Sequence, residues 1–264
     1  RTMGDIARCS LGKPGEFYSE ELLYQMFGIN AELLIDHAWG YESCTIAQIR
    51  AYKPQSSSLG CGQVLHCPYT ADKARIVVQE MIDGISLELV EKRLVTDQLV
   101  LTVGYDIENL TRPEIRKVYK GPVTTDRYGR RVPKHAHGTW NLPRATSSSS
   151  ELLEAMAALY DKIVNPALLI RRMSLSACHV VNEKMAKERE QKETFEQLDL
   201  FTDYAKKEAK EKEEQKKRER ERRMQEALLT IKKKYGKNAV LRGMNFEEGA
   251  TAKERNGQIG GHQA

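Results

Sequence analysis

Apolar residues change their spacing twice between residues 60 and 180, and each change marks a switch between helix and strand. After Thr70, Ala74, Val77, Val78, Met81, Ile85 and Leu89 recur three or four residues apart. That is the stripe of an amphipathic helix capped at Thr70. From Gln98 to Tyr105 the spacing becomes alternate. Leu99, Leu101, Val103 and Tyr105 point one way, and Gln98, Val100 and Thr102 the other, as in a strand with one buried side. A further strand is expected across Ala136–Leu142. A second helix follows, capped by Ser150, carrying Leu153, Met156, Leu159, Tyr160 and Ile163, and stopped by Asn165-Pro166. The last strand directs Met173, Leu175 and Ala177 inward and Arg172, Ser174 and Ser176 outward. With a first strand near Gly62–Tyr69, the order over residues 57–182 is β-α-β-β-α-β, an α+β arrangement. Arg112 to Lys134, rich in Gly, Pro and basic residues, reads as a loop.

Two helices with one apolar stripe each can cover only one face of the resulting four-stranded sheet. The other face is left to Thr102, Thr139, Arg172, Ser174 and Ser176. Hydroxyl and guanidinium groups can lie along a nucleic-acid backbone and bond its phosphate oxygens. An ordinary solvated sheet face has the same pattern, and spacing alone favours that plainer reading.

Residues 1–49 read as short helices. Thr2 with Asp5 resembles a capping box, Ser19 precedes Glu20 and Glu21, Gly28 stops that helix, and Asn30 and Gly40 bound another. Helices this short need neighbours to be stable. Residues 50–56, with Lys53-Pro54 and the start of a serine run, read as a linker. Residues 183–264 form a charged tail. Glu208/Lys212 and Glu213/Lys217 would brace a solvated helix, and the glycine-rich end is expected to be mobile apart from Ala239-Val240-Leu241 and Phe246.

Composition narrows the function classes. The chain has 264 residues, 40% hydrophobic and 30% charged, with a net charge of +5, enough apolar material for a medium core. No run approaches the ~18 apolar residues of a membrane span, so no membrane partner is expected. Five scattered cysteines suit a reducing cytosol and a cytoplasmic protein. The absence of methionine at position 1 suggests the C-terminal piece of something longer. No pair of strand-borne carboxylates suited to a two-metal site is recognisable. Asp5, Asp36 and Asp72 read as helix-start or surface groups, and Asp97 and Asp106 merely flank a strand. Cys61, His66 and Cys67 lack the spacing of a zinc knuckle and read as buried thiols and a strand histidine. His135, His137, Cys178 and His179 carry even less signal.

Two segments retain specific meaning. Ser56-Ser57-Ser58-Leu59-Gly60 offers hydroxyls and glycine-flanked amides that can hold a phosphate, near Arg127, Arg130, Arg131 and Lys134. Gln197-Leu198-Asp199-Leu200-Phe201 places an apolar pair in a charged stretch, a form suited to docking in a partner's groove.

Read in order, these features resemble the C-terminal half of Y-family translesion DNA polymerases of the bacterial polymerase IV and polymerase V type. Arg1-Thr2-Met3-Gly4-Asp5-Ile6-Ala7 resembles the end of the thumb's helix-hairpin-helix, and Phe27-Gly28 and Ala38-Trp39-Gly40 its later helices. Ser57-Ser58-Leu59-Gly60 resembles the lysine-serine-isoleucine-glycine segment that leads into the family's little finger domain, with Ser56 standing before it where the family carries a basic lysine. Residues 197–201 resemble the sliding-clamp peptide, and the Lys232–Gly261 stretch the C-terminus of polymerase V-like proteins of Gram-positive bacteria.

The resemblance implies a partial thumb over 1–49, a little finger over 57–182 with two helices on one sheet face, and a charged helical or disordered tail. It implies primer-template or damaged DNA bound by Ser57, Ser58, Gly60, Thr102, Arg130, Arg131, Lys134, Thr139, Arg172 and Ser174. It also implies a bacterial sliding clamp bound by Gln197, Leu198, Asp199, Leu200 and Phe201, in DNA repair and damage tolerance such as the SOS response. The catalytic carboxylates would lie upstream of Arg1, so no catalytic residue, metal ligand or cofactor is expected in this chain, although the whole polymerase would use Mg²⁺. A non-catalytic DNA- or clamp-binding regulator, or an RNA-associated α+β protein, remains an alternative.

Overall fold

A computed structural model describes residues 2–52, 58–126, 129–186, 188, 204–259 and 262–263. The chain divides into two compact units, Arg1–Ser56 and Ser57–Ala264.

The first unit holds four helices: α1 (Met3–Ser10), α2 (Glu20–Phe27), α3 (Asn30–Ala38) and α4 (Ile46–Ala51). Helix α1 begins with a complete capping box. The Thr2 hydroxyl accepts from the Asp5 amide at 3.2 Å, and the Asp5 carboxylate accepts from the Thr2 amide at 2.9 Å. Gly28 and Gly40 take φ values of 60° and 78° as α2 and α3 end, a conformation in which a Cβ would be strained. Helix α4 runs through what the sequence suggested was the start of an extended linker. Its origin is a second capping box, Thr45 with Gln48. Among the described residues, Cys9, Leu23 and Ala31 form this unit's buried core, with Ile6 and Ile35 packed against them.

The second unit is built on an antiparallel sheet. Strands β1 (Leu59–Tyr69), β2 (Leu94–Tyr105), β5 (Ala136–Thr146) and β6 (Ile170–Cys178) lie in the order β1-β6-β2-β5, and β7 (Val181–Asn182) pairs with the start of β2. Helices α5 (Ala71–Lys92) and α8 (Ser149–Ile163) pack on each other and on the sheet. The core lies between these layers. Leu99, Leu101 and Val103 from β2 meet Leu175 and Ala177 from β6 and the α5 stripe, all essentially inaccessible to water. Each buried leucine of this kind stabilises the fold by roughly 1.5–3 kcal/mol.

Several sequence expectations change in detail. Residues 112–134 are not an irregular loop. They contain α7 (Pro113–Val118), preceded by α6 (Glu108–Thr111), and a hairpin of β3 (Val123–Thr125) and β4 (Arg131–Pro133). Pro113 at the first position of α7 needs no amide partner there, which is why proline starts that helix. Strand β5 continues to Thr146, beyond the expected Leu142. The cap of α8 is Ser148, whose hydroxyl accepts from the Glu151 amide at 3.3 Å, and not Ser150.

The largest difference is at the C-terminus. Helix α9 (Tyr204–Tyr235), a 3₁₀ turn (Gly243–Phe246) and α10 (Ala252–Arg255) pack against α5, where a solvated helix followed by a largely mobile end was expected. Gln225, near the middle of the charged helix, is 2% exposed. It donates to the Ser147 carbonyl at 3.0 Å and the Ser149 hydroxyl at 2.7 Å, and Ser149 in turn meets Ser86 of α5 at 2.7 Å. Farther along, Glu80 of α5 is only 3% exposed, yet it accepts from Asn245 Nδ2 (2.8 Å), the Thr251 amide (2.8 Å) and hydroxyl (3.1 Å), and the Ala252 amide (3.0 Å). Lys233–Glu91 and Arg242–Asp83 ion pairs follow the same side of α5. This second contact explains why Glu80 is buried outside the predicted stripe, whereas Ile82 joins the main core and Ser86 meets Ser149 of α8. The C-terminal segment is thus part of the folded unit.

Candidate nucleic-acid interface

Alternation along each strand sends every second residue away from α5 and α8, and the register assembles those residues into rows. One row runs Gly60, Ser176, Val100, Thr139; the next runs Gly62, Ser174, Thr102, His137. Val64, Arg172 and Gly104 form a third, and Gln98 faces Asn141 at the opposite end. Gly60, Gly62, Val64, His137, Thr139, Asn141, Arg172 and Ser174 are exposed. Among the described residues of this unit no helix covers these rows.

Local geometry organises the face. Thr102 Oγ1 lies 2.9 Å from His137 Nδ1, and Gln98 Nε2 donates to Asn141 Oδ1 at 2.9 Å. Arg172 lies flat across Gly104. A Cβ at residue 104 would come within 2.5 Å of the arginine's Cγ, so the glycine is what lets the guanidinium stem cross the sheet. At Gly60 a Cβ would meet Ser176 Oγ at 2.9 Å. The two arginines of this strand have different fates. Arg171 faces Asp106 at 3.8 Å, whereas Arg172 forms no ion pair among the described residues. The face therefore presents hydroxyls, an imidazole, amides and one unneutralised cation on a shallow, glycine-lowered surface.

The basic hairpin stands at one end of it, because β4 leads within three residues into Ala136, opposite Val103. Arg131 and Lys134 are exposed there. Arg130 differs: its Nε donates to Asp126 Oδ2 at 2.9 Å, so its guanidinium is occupied by that carboxylate. Thus Gly60, Thr102, Thr139, Arg172 and Ser174 come together on one surface, with Arg131 and Lys134 at its end and Ser58 exposed just before β1. Ser57, Arg127 and the pentapeptide Gln197, Leu198, Asp199, Leu200 and Phe201 lie outside the described residues. Sequence reasoning missed His137 and Asn141, although both share the two-residue period of Thr139 and could have been placed by it.

Cys61 is half-buried under the helices, and burial pushes its thiol pKa up. His66 and Cys67 are exposed, so Cys67 is not the buried thiol that was expected. Asp97 pairs with His179 at 2.9 Å, and Asp106 accepts from the Glu108 amide at 2.9 Å as a local turn group. Among the described residues no cluster of three or more His, Cys, Asp or Glu could hold a metal ion, and no helix is long and apolar enough to cross a membrane.

No protein-family model matches the chain, and no curated protein matches it.

Proposed function

We propose that this chain is the DNA-gripping and clamp-docking portion of a bacterial translesion polymerase, with the exposed sheet face against the primer-template duplex. The observation that carries this reading is the composition of that face. It has hydroxyls, glycines, the His137 imidazole and an arginine with no ion pair among the described residues, while Trp140 and Tyr105 of the same strands have the opposite parity and pack toward the helices. Sheets that bind single-stranded RNA or DNA sequence-tolerantly do so by stacking bases on aromatic rings. Among the described residues this face has no Phe, Tyr or Trp, and its His137 imidazole is engaged by Thr102 Oγ1, so it offers a backbone several polar contacts and bases little to stack on, which favours duplex over single strands. Contacts confined to phosphates carry no sequence information and tolerate damaged bases, as bypass requires. The polymerase's catalytic carboxylates and Mg²⁺ are assigned to no residue of this chain.

The reading is tested by titrating labelled primer-template duplex, single-stranded DNA and single-stranded RNA of equal length. Duplex DNA should bind about tenfold or more tightly than either single strand. A preference for single-stranded RNA would instead support the RNA-associated alternative. The pentapeptide supports the clamp half independently of the sheet. Changing Leu200 and Phe201 together to alanine should abolish binding to a bacterial sliding clamp and leave duplex affinity nearly unchanged. Clamp affinity equal to that of the parent chain would remove this assignment. A weak grip on DNA is workable with a clamp, because tethering raises the local concentration of duplex.

A further inference from the structure

Helix α9 carries a second charge pattern that the sheet-face reading does not use. Residues 216–223 read Lys-Lys-Arg-Glu-Arg-Glu-Arg-Arg, and the structure separates their signs. Glu221 is turned inward, onto the start of α8. Its carboxylate accepts from the Ser150 amide at 2.8 Å, the Ser148 hydroxyl at 2.7 Å and the Ser150 hydroxyl at 3.0 Å. A carboxylate there satisfies a free helix amide and faces the positive end of the helix dipole, so its charge is neutralised internally. Arg222 is also turned inward, toward Ser147, Glu183 and Glu226. Four cations remain outward. Lys216, Lys217, Arg220 and Arg223 are exposed, and none forms an ion pair among the described residues. The Glu213/Lys217 pair expected from spacing is not closed. Glu213, Glu214 and Glu219 are the exposed carboxylates of these turns, and Glu219 accepts a long bond from Gln215 at 3.4 Å.

The position of these cations follows from the same contacts. Gln225 and Arg222 fasten α9 to Ser147, at the turn from β5 into α8. A cavity of about 390 Å³ beside it is lined by Val95, Arg144 and Thr146 together with Arg218 and Arg223. Thr146 pairs with Thr96, at the beginning of β2, whereas the β3–β4 hairpin joins the sheet at Val103, near the other end of β2. Basic groups therefore stand at both ends of the strands: Arg131 and Lys134 at one, the α9 cluster at the other. The seven steps from Thr96 to Val103 span roughly 22–24 Å at strand rise, about seven base pairs of duplex.

We propose that Lys216, Lys217, Arg220 and Arg223 form a second phosphate-contacting site, which engages duplex DNA beyond the edge of the sheet face. This rests on the sheet-face reading for the identity of the polyanion. Glu221 and Gln225 hold the helix in place, and the outward cations make the contact. Because the contact is electrostatic and loosely shaped, it adds affinity and salt dependence without sequence preference.

The test replaces Lys216, Lys217, Arg220 and Arg223 together with alanine in the full chain. Alanine preserves helix propensity, and the Gln225 and Glu221 anchors stay intact. Duplex affinity is then measured between 50 and 300 mM salt. Removing one cation–phosphate pair lowers the slope of log affinity against log salt by about 0.9, so a fall approaching about 3.6 is expected for four, accompanied at low salt by an affinity about tenfold or more weaker. Far-UV circular dichroism and an unchanged melting temperature establish that α9 is still folded and docked. An unchanged slope overturns the proposal. Ser174→Asp measured in parallel separates the two readings. If it abolishes binding while the α9 variant behaves like the parent, the sheet reading stands and this one falls. If only the α9 variant loses affinity, the helix site stands and the sheet reading falls. Absence of duplex binding by the parent chain overturns both. Loss of binding to phosphatidylserine vesicles in the α9 variant with duplex affinity intact overturns this proposal alone and identifies a membrane surface as the polyanion.

Discussion

Ser174→Asp should lower affinity for primer-template duplex by about 100-fold while leaving the fold intact. Ser174 sits in the middle of the exposed face, with Gly62 on one side and Thr102 on the other. A carboxylate there would meet a phosphate backbone with no local cation to neutralise it, since Arg172 belongs to the neighbouring row and lies over Gly104. Like charges brought together in an interface cost on the order of several kcal/mol, and about 2.7 kcal/mol already corresponds to a hundredfold. Ser174→Ala, which removes only a hydroxyl, should cost less than about tenfold. Because residue 174 is exposed and its inward neighbours Met173 and Leu175 are untouched, the melting temperature should stay within a few degrees of the parent. Fluorescence anisotropy at fixed salt reads the outcome, and equal affinities for parent and Asp variant would take the sheet face out of the interface.

Glu80→Ala is expected to be the most destabilising single change in the second unit outside the apolar core. Its carboxylate is the acceptor for two backbone amides, a hydroxyl and a side-chain amide of the C-terminal segment, all in a position screened from water. Hydrogen bonds to a charged acceptor contribute roughly 1.5–3 kcal/mol each, and a buried donor left without a partner costs about 1–3 kcal/mol. These costs do not add in full, because the segment can detach and let water solvate the amides. A net loss of about 3 kcal/mol is therefore expected, and it should appear in one of two ways. Either the thermal midpoint falls, or residues 243–256 undock while the sheet stays folded. Hydrogen exchange distinguishes them: in the second case the Thr251 and Ala252 amides lose protection and those of Leu99 and Leu101 keep it. Retention of protection at Thr251 together with an unchanged melting curve would show that the carboxylate does not hold the segment. Gln63 of β1 gives a milder comparison, since it donates to Thr251 Oγ1 at 2.9 Å from the exposed margin of the same contact.

The elements with an unbroken apolar period were legible in the chain. The α5 stripe and the alternation of β2 and β6 each repeat over several residues, and a repeat of that kind can be satisfied by one element geometry only. The open face was legible for the same reason, from Thr102, Ser174 and Arg172 falling on the parity opposite to the buried leucines and valines. Helix α4, by contrast, has no buried residue and no apolar period, and only the Thr45/Gln48 box announced it. The β3–β4 hairpin has no such signal, because three-residue strands are too short to express an alternation. Arg130 joins the DNA-facing cations on its charge alone, and only the fold shows that Asp126, four residues earlier, neutralises it.

By itself, then, the amino-acid sequence determined which residues of the second unit face the core and which face outward, because local backbone geometry ties side-chain direction to position along a helix or strand. Tertiary structure alone decided where the charged C-terminal helix goes. Residues 204–235 have a mean polarity that predicts solvent on every side, and nothing in their own period marks Gln225 for burial. That burial depends on Ser147 and Ser149, more than seventy residues away. Likewise Glu80 reads as a solvated helix residue until Thr251 and Ala252 arrive with amides that need an acceptor. Polar contacts across such separations leave no periodic trace, because a hydrogen bond is specified by the meeting of two groups in space.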